Sequence, residues 1–415
     1  MTEKKYDFVG GALLEPHTAR KHKILREYVA RYLIVRCQHP RRERFRLAIV
    51  EGFAGGGRYK DGSPGSPLIF VEELKSFVTT ANLRRAATGM RPLQVECLLI
   101  LNDIDKDVIE FLRSNLAPLL ADVAETTQAL HLRAVYHCEP FEQAYPKFKE
   151  ILRQGSYQNV LFMLDQCGHS HIHRRTLRDI LQTYQSGEIF YTFMIGSLLA
   201  YLQASDAEAL AAQLAYLGLA QSDLQYLAAG ASKREWLGIA ERIVFNAFSA
   251  CGPFHSPFSI NNPNGWRYWF IHFSNSYRGR QEYNNVLHDN SSTQAHFGRS
   301  GLRMLGFNPA HEIGSLYLFD DAGRAAAKDQ LMEDIPRLVT EFGDTIAVST
   351  FYETIYNATA AHMDDIHSAL IENRNLEVLT AVGGQRRKGS TIEVTDVIRL
   401  RDQPTFFPMF PNFKK

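Results

Sequence analysis

The chain has 415 residues, 45% hydrophobic and 22% charged, with a formal net charge of +1. This is the composition of an ordinary globular protein, long enough for two domains and a large core. The near-zero charge excludes a global field that draws in nucleic acid or an anionic membrane, so any such contact must come from local patches.

The first predicted element is a helix over about 15–36, with Ile24, Leu25, Tyr28, Val29 and Tyr32 at helical spacing. His17, Arg20, Lys21 and Lys23 cluster in its first half. A polar turn at 40–44 leads to an apolar strand that ends in Glu51 and breaks into Gly52-Phe53-Ala54-Gly55-Gly56-Gly57. Glycines there permit positive φ and let backbone N–H groups approach a ligand. The spacing is neither Gly-x-Gly-x-x-Gly nor a P-loop, since no Lys-Ser or Lys-Thr follows. It is closer to the first motif of class I methyltransferases, which bind S-adenosylmethionine.

Ser66 and Pro67 suit the cap and first turn of a second helix, predicted to end near Val78. The polar stretch 79–92 reads as loop. A strand over 95–101 ends in Asn102-Asp103-Ile104-Asp105, and a helix is expected over 106–120. A third strand, 131–136, leads to Glu139, and a helix follows over 142–154. A fourth strand, 159–164, ends in Asp165-Gln166-Cys167-Gly168, and a fifth is expected over 189–195. Strands alternating with helices imply an α/β protein with a parallel, doubly wound sheet. Glu51, Asp103, Glu139 and Asp165 then fall on the sheet edge where such folds place their ligands.

An Ala/Leu-rich stretch over 201–251 reads as a helical insertion. Trp266 to Phe273 reads as a buried strand, followed by a helix over 281–288 and a short strand over 315–319. Composition changes near Asp320. Three helices (327–341, 350–360, 362–373) and two strands (376–381, 393–400) suggest a winged helix-turn-helix over 321–415. The basic loop Arg386-Arg387-Lys388 would form its wing. The first domain is expected to span 1–320.

Cys37, Cys97, Cys138, Cys167 and Cys251 are scattered, with no Cys-x-x-Cys pair. That excludes a disulfide framework and a cysteine zinc knuckle, and it fits a reducing compartment. The start lacks an apolar signal core, and no apolar run approaches the ~20 residues that span a bilayer. A cytoplasmic protein without membrane contact is expected.

Taken together, Glu51-x-Phe53-Ala54-Gly55-x-Gly57, Gly65-Ser66-Pro67, Asp103-x-Asp105, Asp165-x-x-Gly168 and Lys21-x-x-x-Leu25-x-x-Tyr28 resemble the three-Cys-motif partner proteins. That family is itself similar to class I methyltransferases. The resemblance implies a Rossmann-like methyltransferase fold binding S-adenosylmethionine, and a radical S-adenosylmethionine partner carrying the three cysteines. It implies a role on nucleic acid in genome modification, repair or phage defence. Carried over by position, Glu51, Phe53, Ala54, Gly55 and Gly57 would surround the methionine part. Asp103, with Asp105 beside it, would take the ribose hydroxyls, Glu139 would lie near the adenine, and Asp165 would face the methyl group. The chain departs from the pattern at Glu51, where Asp is usual, and at Gln166-Cys167, where Pro and an aromatic residue are usual. The second departure removes most support for amine methylation of a base.

Several residues carry competing readings. Asp165 is a catalytic carboxylate or a loop anchor. Cys167-x-His169-x-His171-x-His173 would share one face of an extended segment. It reads as a solvated rim, as a source of a proton shuttle such as His169, or as metal ligands in a hydrolase. No metal is assigned. Cys167 is a nucleophile or a small buried residue. Lys21, Lys23, Arg41, Arg42 and Arg44 form a phosphate-binding edge or a solvated surface. Arg386, Arg387 and Lys388 contact a nucleic-acid backbone or decorate a protein-binding loop. Trp266, Tyr268 and Trp269 read as core rather than as a stacking platform. Methyl transfer to nucleic acid, a non-catalytic binding module and a metal-dependent hydrolase are the three functional readings.

Overall fold

The computed structural model describes residues 11–166, 172–194, 246–256, 259–261, 267–290, 294–297, 301–302, 316–317 and 319–401. The chain divides into two compact units, 1–296 with 309–313, and 297–308 with 314–415.

The first unit begins with α1 (Pro16–Cys37), β1 (Arg44–Glu51), α2 (Ser66–Ala87), β2 (Gln94–Asp103) and α3 (Lys106–Thr126). It continues with β3 (Leu130–Cys138), α4 (Phe141–Gln154), β4 (Asn159–Leu164), α5 (Arg174–Thr183) and β5 (Ser186–Phe193). β6 (Phe254–Ser256), β7 (Ser259–Asn261), β8 (Arg267–Ser274), a helix at Tyr277–Asp289 and β9 (Gln294–Phe297) follow. The sheet runs β9-β7-β8-β5-β4-β1-β2-β3, with β6 also against β8. β1 to β5 are mutually parallel, and β8 joins β5 antiparallel. This is a mixed, mostly parallel, doubly wound α/β sheet of Rossmann-like architecture. Its strand order reverses between β1 and β4, the switch point at which such sheets hold ligands.

Period-2 alternation sorts the strands' side chains between two layers. Ala48, Val50, Phe162, Leu164, Tyr191 and Phe193 pack in one core with Phe141, Phe148 and Leu177 of α4 and α5. Leu47, Ile49, Leu161 and Met163 point to the other face, where α1 and α2 lie against each other. Trp269 is core, as its place in an apolar strand predicts.

Three expectations are corrected here. Residues 79–87 are the end of α2, not a loop. Their polar side chains anchor the chain that follows: Asn82 exchanges two hydrogen bonds with the Leu93 backbone, and buried Arg85 donates to the Arg91 and Pro40 carbonyls. Ser66 is not the N-cap of α2; Gly65 is, and the Ser66 hydroxyl turns inward. α3 also runs one further turn and more, to Thr126. Of the expected insertion, 201–245 lies outside the described residues, as does Trp266.

The second unit contains β10 (Leu316–Tyr317), helices at Asp321–Glu341, Val348–Ile355 and Met363–Glu372, and three further strands. These are β11 (Thr345–Ala347), β12 (Leu376–Leu379) and β13 (Val397–Leu400), paired antiparallel in the order β11-β13-β12. The long helix buries Ala327, Leu331, Ile335 and Val339 at i, i+4 spacing. The last strand is shorter than its sequence suggests. The Asp396 carboxylate accepts the Glu393 N–H and closes a turn where 393–396 would otherwise extend.

Candidate functional site

The site grows from the carboxyl ends of β1, β2 and β4. Alternation puts Glu51 on the α1/α2 face, fully buried with no exposed surface. Its Oε2 accepts a 3.1 Å hydrogen bond from Ser66, the first residue of α2. Its Oε1 is buried and has no hydrogen-bond partner among the described residues. Burial pushes this carboxyl well above the ordinary carboxylate range. The Ser66 hydroxyl opposes that shift and the Asp165 charge adds to it.

After Glu51 the backbone turns on itself. Gly55 and Gly57 sit at φ +60° and +79°, a region that strains any side chain. A Cβ on Gly57 would stand 2.7 Å from Leu112 Cδ1 and 2.9 Å from Leu68 Cδ1. The loop is braced from β2. The Asn102 carbonyl accepts the Ala54 N–H, and Asp103 accepts the Gly55 N–H at 3.0 Å. Buried Asn102 donates to the carbonyls of Gly52 and Glu139 and accepts the Glu139 N–H. Asn102 thus joins the ends of β1, β2 and β3, a role its sequence position did not reveal.

Asp103 also accepts the Asp105 N–H, and burial outweighs these bonds to raise its carboxyl above the usual aspartate value. Asp105 caps α3 by accepting the Asp107 N–H. Glu139 pairs with Lys147 at the rim. Phe53 rests against Phe141, and Ala54 is buried. Ile104, next to Asp103, is 69% exposed and offers an apolar surface on this edge.

The unanticipated feature is Lys21. It is buried in α1, and its Nζ donates to both carboxylate oxygens of Asp165, at 2.6 and 2.7 Å. It therefore belongs neither to a solvated surface nor to an exposed phosphate edge. Burial alone would raise the Asp165 carboxyl; the Lys21 ammonium outweighs it and holds the group below its ordinary value. One turn earlier, His17 stacks on Tyr268 with centroids 4.4 Å apart. Burial, then the Lys21 charge, pushes buried His22 down to about 4.

Other assignments scatter. Arg41 and Arg42 precede β1 and Arg44 opens it, so all three lie at the edge opposite the glycine turn. Gln166 is buried and donates to the Tyr191 hydroxyl. His173 gives its backbone N–H to Glu142 at the start of α5. Cys167, His169 and His171 lie outside the described residues. Among the described residues no group of three His, Cys, Asp or Glu could hold a metal ion, and no helix is long and apolar enough to cross a membrane. In the second unit, Arg386 gives two hydrogen bonds to buried Asp396, whereas Arg387 and Lys388 are exposed.

No family model matches the chain, and no curated protein matches its sequence.

Proposed function

We propose that the first unit is a class I methyltransferase-like domain that binds S-adenosylmethionine. The observation that carries this reading is the Oε1 of Glu51, which has no partner among the described residues and is buried at the end of β1 beside a turn with two positive-φ glycines. A buried polar atom without a partner costs free energy, and a ligand's N–H donor would supply one. The other residues fit the cofactor. Asp103 spends one hydrogen bond per oxygen on the backbone and keeps lone pairs for hydroxyls. Ile104 offers a surface to a flat heterocycle. When bound, S-adenosylmethionine would supply an electrophilic methyl group; Asp165 and His169 are the residues assigned to orient or deprotonate its acceptor.

The second unit's three helices and three-stranded sheet fit a winged helix-turn-helix. Its exposed Arg387 and Lys388 are the side chains suited to a nucleic-acid backbone. The full reading is a protein that works on nucleic acid beside a three-Cys-motif radical enzyme. Calorimetric titration with S-adenosylhomocysteine tests its core: binding is expected, and it should be lost in Gly57→Val. Absence of binding to the wild-type chain would sink it.

A second reading has its own support. Lys21 occupies both oxygens of Asp165, and Asp and Glu outnumber Lys and Arg between Asp320 and Arg401. Both facts favour a module that keeps the ligand site and binds a partner without transferring a methyl group. A cofactor that binds but never turns over, with a stable complex with the radical enzyme, is its expected signature.

A further inference from the structure

We propose that the amino edge of the first unit's sheet binds the phosphate backbone of a nucleic acid through Arg41, Arg44 and Arg84. This is the edge opposite the glycine turn, and the proposal stands apart from the cofactor reading.

Two segments build the surface: 38–46, the turn into β1, and 83–92, the end of α2 and the link toward β2. Between them they hold seven arginines, no lysine and one acid, Glu43. Four of the arginines are committed within this frame. Arg85, buried at the end of α2, donates from Nη2 to the Pro40 carbonyl at 3.1 Å and from Nε to the Arg91 carbonyl at 2.6 Å. Arg91 pairs with the Glu43 carboxylate at 3.5 Å. Arg46 gives two hydrogen bonds to Glu96, and Arg42 donates to the Arg36 carbonyl. The Gln94 N–H adds a 2.8 Å bond to the Glu43 carbonyl. These contacts join the two segments and occupy both acids, Glu43 and Glu96.

Arg41, Arg44 and Arg84 remain. Their side chains are exposed and, among the described residues, have no hydrogen-bond or ion-pair partner. They stand on a backbone that is already fixed, so an arriving anion has little chain to order. A guanidinium is a planar fork that can take two phosphate oxygens at once, which the point charge of a lysine cannot. A nucleic-acid strand presents such groups in a row, whereas a small anion answers one arginine only. A bilayer surface would call for an apolar face as well. Leu83 and Met90 are the large apolar side chains exposed on these segments, too few to form one. β1 separates this surface from the glycine turn by its eight residues, Arg44 to Glu51. At about 3.3 Å per residue that is roughly 23 Å. A strand held at the amino edge is therefore anchored away from the candidate site, and a ligand at that site does not compete with it.

The test is fluorescence anisotropy of the full chain with a short labelled single strand and its duplex, over a salt series. Arg41→Ala/Arg44→Ala/Arg84→Ala is expected to weaken binding roughly tenfold or more and to reduce the salt slope by about 3. Its melting temperature should match wild type, because none of the three side chains holds the fold. Arg41→Lys/Arg44→Lys/Arg84→Lys keeps the charges and should keep most of the slope. Whatever affinity wild type shows for S-adenosylhomocysteine, both variants should share it. Unchanged affinity and slope in the alanine variant overturns the proposal, as does a wild type that binds neither oligonucleotide. Capture by phosphatidylserine vesicles, with no binding to either oligonucleotide, overturns it in favour of a membrane. Each of these results leaves the cofactor reading standing, and a failure to bind S-adenosylhomocysteine leaves this proposal standing.

Discussion

Lys21 and Asp165 are 144 positions apart in the chain, yet the lysine ammonium holds both oxygens of the aspartate at hydrogen-bond distance. The pair fixes the end of β4 to α1 and neutralises the carboxylate assigned to chemistry. Lys21 is buried and Asp165 partly so, and removing either member leaves the other charge uncompensated. Lys21→Met is expected to lower unfolding free energy by about 3 kcal/mol. Denaturant melts at pH 7 check this, and Lys21→Met/Asp165→Asn should recover part of the loss. If the single variant is as stable as wild type, the pair is not holding the strand end.

The glycine turn makes a steric prediction. Gly57 combines a positive φ with two leucine methyl groups closer than a Cβ tolerates. Gly57→Ala is expected to cost roughly 2–4 kcal/mol and Gly57→Val more. Gly62 also has positive φ but nothing near its Cβ, so Gly62→Ala should cost only its backbone strain. Thermal melts of the two alanine variants, compared directly, decide whether crowding matters at this turn.

His22 makes the fold acid-sensitive. Its folded pKa lies near 4, below the ordinary 6.5, because burial disfavours the imidazolium. Between these values the unfolded chain binds the proton and the folded chain does not. Stability from this group is therefore full above pH 6.5 and is lost as pH falls toward 4, by roughly 3 kcal/mol. Asp165, with its depressed pKa, adds a loss only at lower pH still. Unfolding free energies across pH 4–7 should show the slope, and His22→Gln should flatten it.

Glu51 acts with the opposite sign. Its folded pKa is raised, so its contribution is full below the unfolded value near 4.3 and is lost as pH rises toward the folded one. Glu51→Gln should melt higher than wild type at pH 8, and the gap should close at pH 4. A polar group buried at a proposed site and destabilising its own fold is a recurrent cost of function.

The basic loop 386–388 holds one structural cation and two exposed ones, the latter proposed to meet nucleic acid. Arg387→Ala/Lys388→Ala should weaken binding to a short duplex and reduce the salt slope by about 2, without a change in melting. Arg386→Ala should instead lower the melting temperature, because it strands buried Asp396. Fluorescence anisotropy over a salt series, run beside melts, distinguishes them.

The strands and their acidic ends were legible because apolar runs, acids and turn residues alternate in phase along β1 to β4. Helix ends were less so. Asn82 and Arg85 look like loop residues until their side chains are seen holding the next segment. The buried pairing of Lys21 was not legible, since a lysine on a helix reads as solvated unless its partner across the fold is known. Asn102 was hidden beside the more conspicuous Asp103. Nothing in Glu51-Gly52-Phe53 announces that one of the glutamate's oxygens is buried without a partner among the described residues.

α1 is fastened to both ends of one strand. Lys21 grips Asp165, just past the carboxyl end of β4, and Arg36 donates to Asn159 at its amino end. A helix tethered in this way cannot peel from the sheet without releasing the strand that ends in the site. Hydrogen exchange in α1 should therefore be a remote gauge of the candidate site: whatever loosens the end of β4 should speed exchange along the helix, and a ligand bound at the strand ends should slow it.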